Sequence, residues 1–289
     1  MAICGTLQAA EPANPNVNPR TQAVLEYFHT VCAGPERRVL SGQFVGYGRR
    51  SGLAIIARIH ERTGERPALL GTDYVEPLRG SIQWKEANRT AIAYWSQGGL
   101  VTISAHLPSP ANPGGRGLRD RDVNLDDLLQ AGTDAHRRWI EQLDQVAAGL
   151  AELRDAGVVV LWRPFHEMNG DWFWWSGKDP DAFVRVWRHM FAYFSVTKDL
   201  DNLLWVYSPN HGDNTASYYP GDRFVDVVGL DAYTDHIDRD NIRGYPEVAA
   251  LPKPFGFTEY GPHDAHDPPG NYDYRRLLDG IVQHFPRAC

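Results

Sequence analysis

Two glutamates stand where apolar runs give way to polar and aromatic residues. Glu167 lies in VVVLWRPFHEMNGDWFWW, from Val158 to Trp175, and Glu259 in PFGFTEYG, residues 254–261. Alone, either one reads as an ordinary surface or ion-paired residue. As a pair at equivalent strand ends, flanked by aromatic rings, they have the residue types that hydrolyse an acetal. One carboxyl protonates the leaving oxygen while the other attacks or activates water from the opposite face. A carboxyl separation of about 5–5.5 Å goes with retention of configuration, and about 6.5–9.5 Å with inversion.

His166 directly precedes Glu167, and its neutral imidazole could orient a nearby carboxylate and favour its ionised form. Met168, Asn169 and Gly170 follow Glu167, so the HExxH spacing of a zinc protease is absent. His263, Asp264, His266 and Asp267 in GPHDAHDPPG are metal-ligand types, but the prolines and glycines around them indicate a solvated loop. The sequence contains no GxSxG elbow, P-loop or helix-opening GxGxxG.

The elements that must carry these residues alternate in type. A leading helix is expected from Thr21 to Cys32. Strands are then expected at RVLSGQF (38–44), PALLGTDY (67–74), GLVTISAH (99–106), VVVLWRPFHE (158–167), NLLWVYSPN (202–210), VDVVGLDAY (225–233) and PFGFTEYG. Helices fall near 53–63, 84–98, 133–156, 181–194 and 272–285. Several strands are continuous apolar runs, the pattern of a parallel sheet buried on both faces. One uninterrupted β-then-α series favours a (β/α)8 TIM barrel over a doubly wound sheet. Asp73, Tyr74, His106, His166, Glu167, Asn210, His211, Asp231, Tyr233 and Glu259 all fall at strand C-terminal ends, which a barrel gathers onto one face. Only seven strands are found, and the sequence reaches PRAC where an eighth should begin. The expected fold is thus a barrel ending before or at its eighth strand, with two strand edges lacking partners.

Composition sets outer limits. The chain has 289 residues, 43% of them hydrophobic, with a formal net charge of −7. No basic cluster offers a nucleic-acid surface, and no apolar run reaches the roughly 18 residues of a membrane helix. Nine tryptophans and thirteen tyrosines suit sugar stacking as well as core packing. Cys4, Cys32 and Cys289 allow at most one disulfide, and Cys4 and Cys289 are read as uninformative terminal residues. Residues 1–19 read as a disordered N-terminus or a signal-peptide remnant, which points to a secreted or periplasmic protein. Residues 20–289 read as one catalytic domain.

LWRPFHEMNGDWFWW resembles the acid/base motif of glycoside hydrolase family 26, and GFTEYG resembles its nucleophile strand. SGQFVGYG, GGLVTISAH, NLLWVYSPN and VDVVGLDAY are similar to four further strands of that family, so the likeness spans about Arg38 to Pro262. The resemblance implies a retaining endo-acting hydrolase of β-1,4-mannan or galactomannan, with Glu167 as general acid/base and Glu259 as nucleophile. It implies that His166 and Tyr233 hydrogen-bond the nucleophile, that Trp172 stacks on a sugar beside the cleavage point, and that His106 lines the neighbouring subsite. It further implies a monomer needing no metal or cofactor, whose partner is a polysaccharide. The same mechanism on β-1,3-xylan or mixed-linkage β-glucan, and a non-catalytic carbohydrate-binding barrel, are the alternatives.

Overall fold

Seven of the apolar runs form one parallel sheet. In this computed structural model, which describes residues 11–33, 38–76, 80–112, 117–263 and 272–289, the strands are β1 (Gly42–Tyr47), β2 (Leu69–Asp73), β5 (Leu100–Ser104), β6 (Val160–Arg163), β7 (Leu203–Tyr207), β8 (Val227–Tyr233) and β9 (Phe255–Gly261). They are hydrogen-bonded in that order, every neighbour parallel. A two-stranded hairpin, β3 (Val75–Glu76) with β4 (Ser81–Ile82), follows β2 and was not foreseen from sequence.

Helices α1 (Pro19–Ala33), α2 (Ala54–Thr63), α3 (Trp84–Trp95), α4 (Asp134–Asp155), α5 (Pro180–Ala192), α6 (Tyr245–Ala249) and α7 (Arg275–His284) complete the architecture. Their ends follow local chemistry. The Thr133 hydroxyl accepts the His136 amide to start α4, and the Asp179 carboxylate accepts the Ala182 amide to start α5, with Pro180 in its first turn. Gly64, at φ +76°, closes α2 in the left-handed region. Along α4, Trp139, Leu143, Val146, Leu150 and Leu153 form the buried stripe that a 3.6-residue period requires.

The period-2 alternation of the strands separates two apolar layers. Val160 and Trp162 of β6 face the helices α4 and α5 in the large outer core. Val159 and Leu161 turn the other way and cluster with Leu204, Val206 and Val227, beneath Val24, Leu25 and Phe28 of α1. Helix α1 therefore seals the N-terminal floor of the barrel interior, and the next inward position on β6 is Arg163.

Ala288 and Cys289 stand between β9 and the segment ahead of β1. Ala288 bridges Phe255 in parallel, the Cys289 amide donates to the Phe255 carbonyl, and the Cys289 carbonyl accepts from the Leu40 amide ahead of β1. The ring is thus closed at its floor. Above it, β9 is buried only at Phe255, whereas β6 and β7 are buried throughout. Cys289, read from sequence as uninformative, forms a disulfide with Cys32 at the end of α1. Cys4 lies outside the described residues. Ahead of α1, the described residues from 11 onward are held to the domain: Asp226 accepts the Ala13 amide, Asn14 donates to Leu200, and Ala13 and Asn14 are buried. Among the described residues, no helix is long and apolar enough to cross a membrane.

The cross-link ties α1 to the closing residues across 257 positions. Cys32→Ser is expected to lower unfolding stability by about 2–5 kcal/mol, read from denaturant titration beside the oxidised wild type. An unchanged midpoint would show that the seam holds without the bond.

Candidate active site

Several predicted strands stop earlier than expected. Strand β6 ends at Arg163, because Pro164 cannot continue the ladder, and β5 ends at Ser104 rather than His106. Phe165 and Glu167 then take positive φ of 51° and 58°, a conformation that costs of order 1–3 kcal/mol for such residues. Packing offsets that cost. The Phe165 ring is driven into a buried cluster with Trp139, Trp174, Trp175, Phe183 and Trp187. Two of the three tryptophans in DWFWW are thus core residues bracing the turn. Trp175 also donates its indole N–H to the His166 carbonyl.

With Phe165 anchored outward, Glu167 projects into the mouth. One carboxylate oxygen each of Glu167, Glu259 and Asp231 lies within 4.8 Å of the others. At that spacing the two glutamates match the short separation, not the long one. Arg163 sits among them, buried. Its Nη1 donates to Asp231 Oδ2 at 2.8 Å and its Nη2 to Glu259 Oε1. Ser208 and Thr258 hydroxyls donate to Asp231 Oδ1, each at 2.7 Å. Three carboxylates so arranged would also suit a divalent cation, but the Arg163 guanidinium already supplies the positive charge.

The two glutamates meet different surroundings. Burial pushes the Glu167 carboxyl above its ordinary range, and the Glu259 charge pushes it further, against the 2.7 Å hydrogen bond from Trp172 Nε1. Burial would raise Glu259 as well, but the Arg163 charge and the Tyr233 hydroxyl, 2.6 Å from Oε2, hold it below the usual carboxylate range. Burial pushes Asp231 up, as do the Glu259 and Glu167 charges, while Arg163 pulls it down. Carboxyls this close share their protons, so the three are coupled around one guanidinium.

A second polar chain lines the adjoining wall. Buried Asp73 accepts from the Val75 and His106 amides and from His106 Nδ1 at 2.8 Å. Burial would raise the Asp73 carboxyl, but the His106 charge and these hydrogen bonds hold it low. Burial works to lower His106, yet the Asp73 carboxylate raises it overall. His106 Nε2 lies 3.1 Å from His166 Nε2, and burial, then Arg163 and His106, keep His166 well below its ordinary value and neutral. The rings of Tyr47 and Phe173 pack edge-on against His106.

The structure therefore unites Glu167, Glu259, Tyr233, Trp172, His106 and His166 in one mouth, with one correction. Glu259 takes its hydrogen bonds from Tyr233 and Arg163, and His166 bonds His106 instead, since Arg163 occupies the approach to the carboxylate. Trp172 is fixed by its N–H on Glu167, and Gly170 makes room for it, because a Cβ there would lie 2.5 Å from the indole. Asp264, His266 and Asp267 lie outside the described residues; the His263 amide donates to Asp235. Sequence reasoning passed over Arg163, although an arginine closing an apolar, doubly buried run requires an acidic partner. Asp231 and Asp73 were noted only as polar strand ends, and Tyr47, Ser208 and Thr258 gave no signal.

The model of glycosyl hydrolase family 26 matches residues 13–288. The chain is 37% identical over 305 residues to mannan endo-1,4-beta-mannosidase A and B of Caldalkalibacillus mannanilyticus, covering all of this chain and 58% of that protein. It is 36% identical over 294 residues to mannan endo-1,4-beta-mannosidase of Bacillus subtilis strain 168, covering 96% of this chain and 80% of that one. The solved structure of Bacillus subtilis mannanase man26 superposes with a TM-score of 0.88 at 36% identity, covering 97% of this chain and 87% of that chain.

Removing the phenolic hydroxyl in Tyr233→Phe deletes one of the bonds that hold Glu259 low. The titration of Glu259, followed by carbon-13 carboxyl NMR, is expected to move to higher pH. A titration that does not move would leave Arg163 and the His106 charge as the cause.

Proposed function

Since the chain belongs to glycosyl hydrolase family 26, we propose that it is a retaining endo-β-1,4-mannanase with Glu259 as nucleophile and Glu167 as general acid/base. The observation that carries this assignment is the opposite displacement of two carboxyls whose oxygens lie within 4.8 Å. Split pKa values in one site separate an acid from a base.

Glu259, ionised beside Arg163, attacks the anomeric carbon while Glu167 gives its proton to the departing glycosidic oxygen. The products are a glycosyl ester on Glu259 and a free sugar hydroxyl. Esterification removes the Glu259 charge that had raised Glu167, so the Glu167 carboxylate becomes stable and serves as base. It takes a proton from water, whose oxygen attacks the same carbon and restores the Glu259 carboxylate. Two inversions give retention. Trp172, locked against Glu167, stacks on the sugar beside the cleavage point, and His106 lines the neighbouring subsite. Tyr233 and Arg163 stabilise Glu259 before attack and as it leaves.

The substrate is a mannan or galactomannan chain, handled by a monomer. Export from the cytoplasm is supported by the Cys32–Cys289 disulfide, because such bonds persist in oxidising compartments.

Reducing-sugar release from mannan, galactomannan, β-1,3-xylan and mixed-linkage β-glucan tests the reading. Turnover is expected on the mannans and should fall about 10²–10⁴-fold in Glu167→Gln and be lost in Glu259→Gln. The rate should be bell-shaped in pH: Glu259 must be ionised, which sets the acid limb, and Glu167 protonated, which sets the alkaline limb. Proton NMR of fresh products should show the β-anomer first. An α-anomer appearing first, or full activity in Glu259→Gln, would remove Glu259 from its role.

A further inference from the structure

Glu167 is delivered by a turn rather than by a regular strand, so its aim depends on what holds residues 167–170. Backbone bonds supply part of the answer: the Glu167 amide donates to Ser208, the Gly170 amide to Glu167, and the Gly177 amide to Met168. The remaining fixed points come from Asn169, two positions beyond the acid. Its Nδ2 donates to the carbonyls of Asn210 at 2.8 Å and Asp213 at 3.0 Å, and its Oδ1 accepts the Asn210 amide at 2.8 Å. All three bonds reach one segment of main chain, the loop that follows β7.

That loop is itself tied to the charged cluster. Asn210 forms a parallel bridge with Asp231, the His211 amide donates to the Asp231 carbonyl, and the Asp231 amide donates to Pro209. The turn carrying Glu167 is thereby referenced to β8, whose Asp231 pairs with Arg163 and, through it, with Glu259.

We propose that Asn169 is a positioning residue for proton donation. It clamps the 167–170 turn against residues 209–213, so that the Glu167 proton meets the glycosidic oxygen while Glu259 meets the anomeric carbon. These Asn169 bonds end on main chain rather than on the Glu167 or Glu259 carboxyls. Only an amide side chain offers donors and an acceptor together at this length. This inference rests on the assignment of Glu167 as the acid.

Because Asn169 acts through the acid alone, its loss should matter in proportion to how much the leaving group needs a proton. A sugar hydroxyl must be protonated as it departs, whereas 2,4-dinitrophenolate leaves unaided. The test compares kcat/KM, which reports glycosylation, for a mannopentaose and for a 2,4-dinitrophenyl β-mannobioside. If the wild type cleaves a different β-linked glycan, both substrates take that sugar.

In Asn169→Ala, kcat/KM on the oligosaccharide is expected to fall about 10–100-fold, the scale of a misplaced catalytic group. On the activated glycoside it should stay within about twofold. Asn169→Ser, which keeps a turn-forming polar residue, is expected to show the same split and carries the test if the alanine variant does not fold. Equal falls on both substrates would make Asn169 a general structural tie, and no fall on the oligosaccharide would make it dispensable; either overturns the proposal. Wild-type turnover and its loss in Glu167→Gln judge the acid assignment separately.

Discussion

One buried guanidinium organises the mouth of this barrel. Arg163 extends the inward row of β6 directly above Leu161, in a position where an uncompensated charge would be strongly unfavourable. Its partners must come from other strands, and they do: Asp231 from β8 and Glu259 from β9. The planar fork reaches both carboxylates at once, which an ammonium would not do with the same geometry. Since the guanidinium bonds these two, for Glu167 burial and the neighbouring negative charge outweigh the Trp172 hydrogen bond and the more distant cation. The inequality of the two glutamates is therefore a consequence of where one arginine lies.

The rest of the fold supplies rigidity to that arrangement from two directions. Helix α1 fills the floor with Val24, Leu25 and Phe28, so the interior becomes polar only at the opposite end. Behind the mouth, the aromatic cluster around Phe165 absorbs a left-handed backbone that would otherwise relax. The hydrophobic half and the polar half of the Val158–Trp175 stretch are parts of one device, the first a stave and the second a braced turn.

Much of this was legible in the sequence because parallel strands buried on both faces are written as continuous apolar runs. Strands such as β6 and β7 could be read that way, and the others, with the convergence of their polar C-terminal residues, followed from the regular β-then-α order. The ends of the strands could not. Apolar character continues past Arg163 through Pro164 and Phe165, and composition does not mark where a ladder stops. Hydrogen-bond partners were less accessible still. His166 lies beside Glu167 in sequence, yet it meets His106, because the turn rotates successive side chains in different directions. Cys289 looked incidental, since nothing local records that it meets Cys32 across the seam. Arg163 was the readable signal left unread, a permanent charge closing a run of otherwise buried residues.

The joining of Leu40 to Cys289 has a consequence for how the protein is made. A nascent chain leaves the ribosome from its N-terminus, so β1 emerges long before the residues that bond the segment just ahead of it. Throughout that interval its unpaired backbone groups are open to any passing strand, a hazard for slow, long-range parallel topologies. Helix α1, which packs against strands well downstream of itself, must wait as well. The floor therefore cannot close until residues about 250 positions downstream of Leu40 have been made, and cells making this protein have reason to shield its first strand until then.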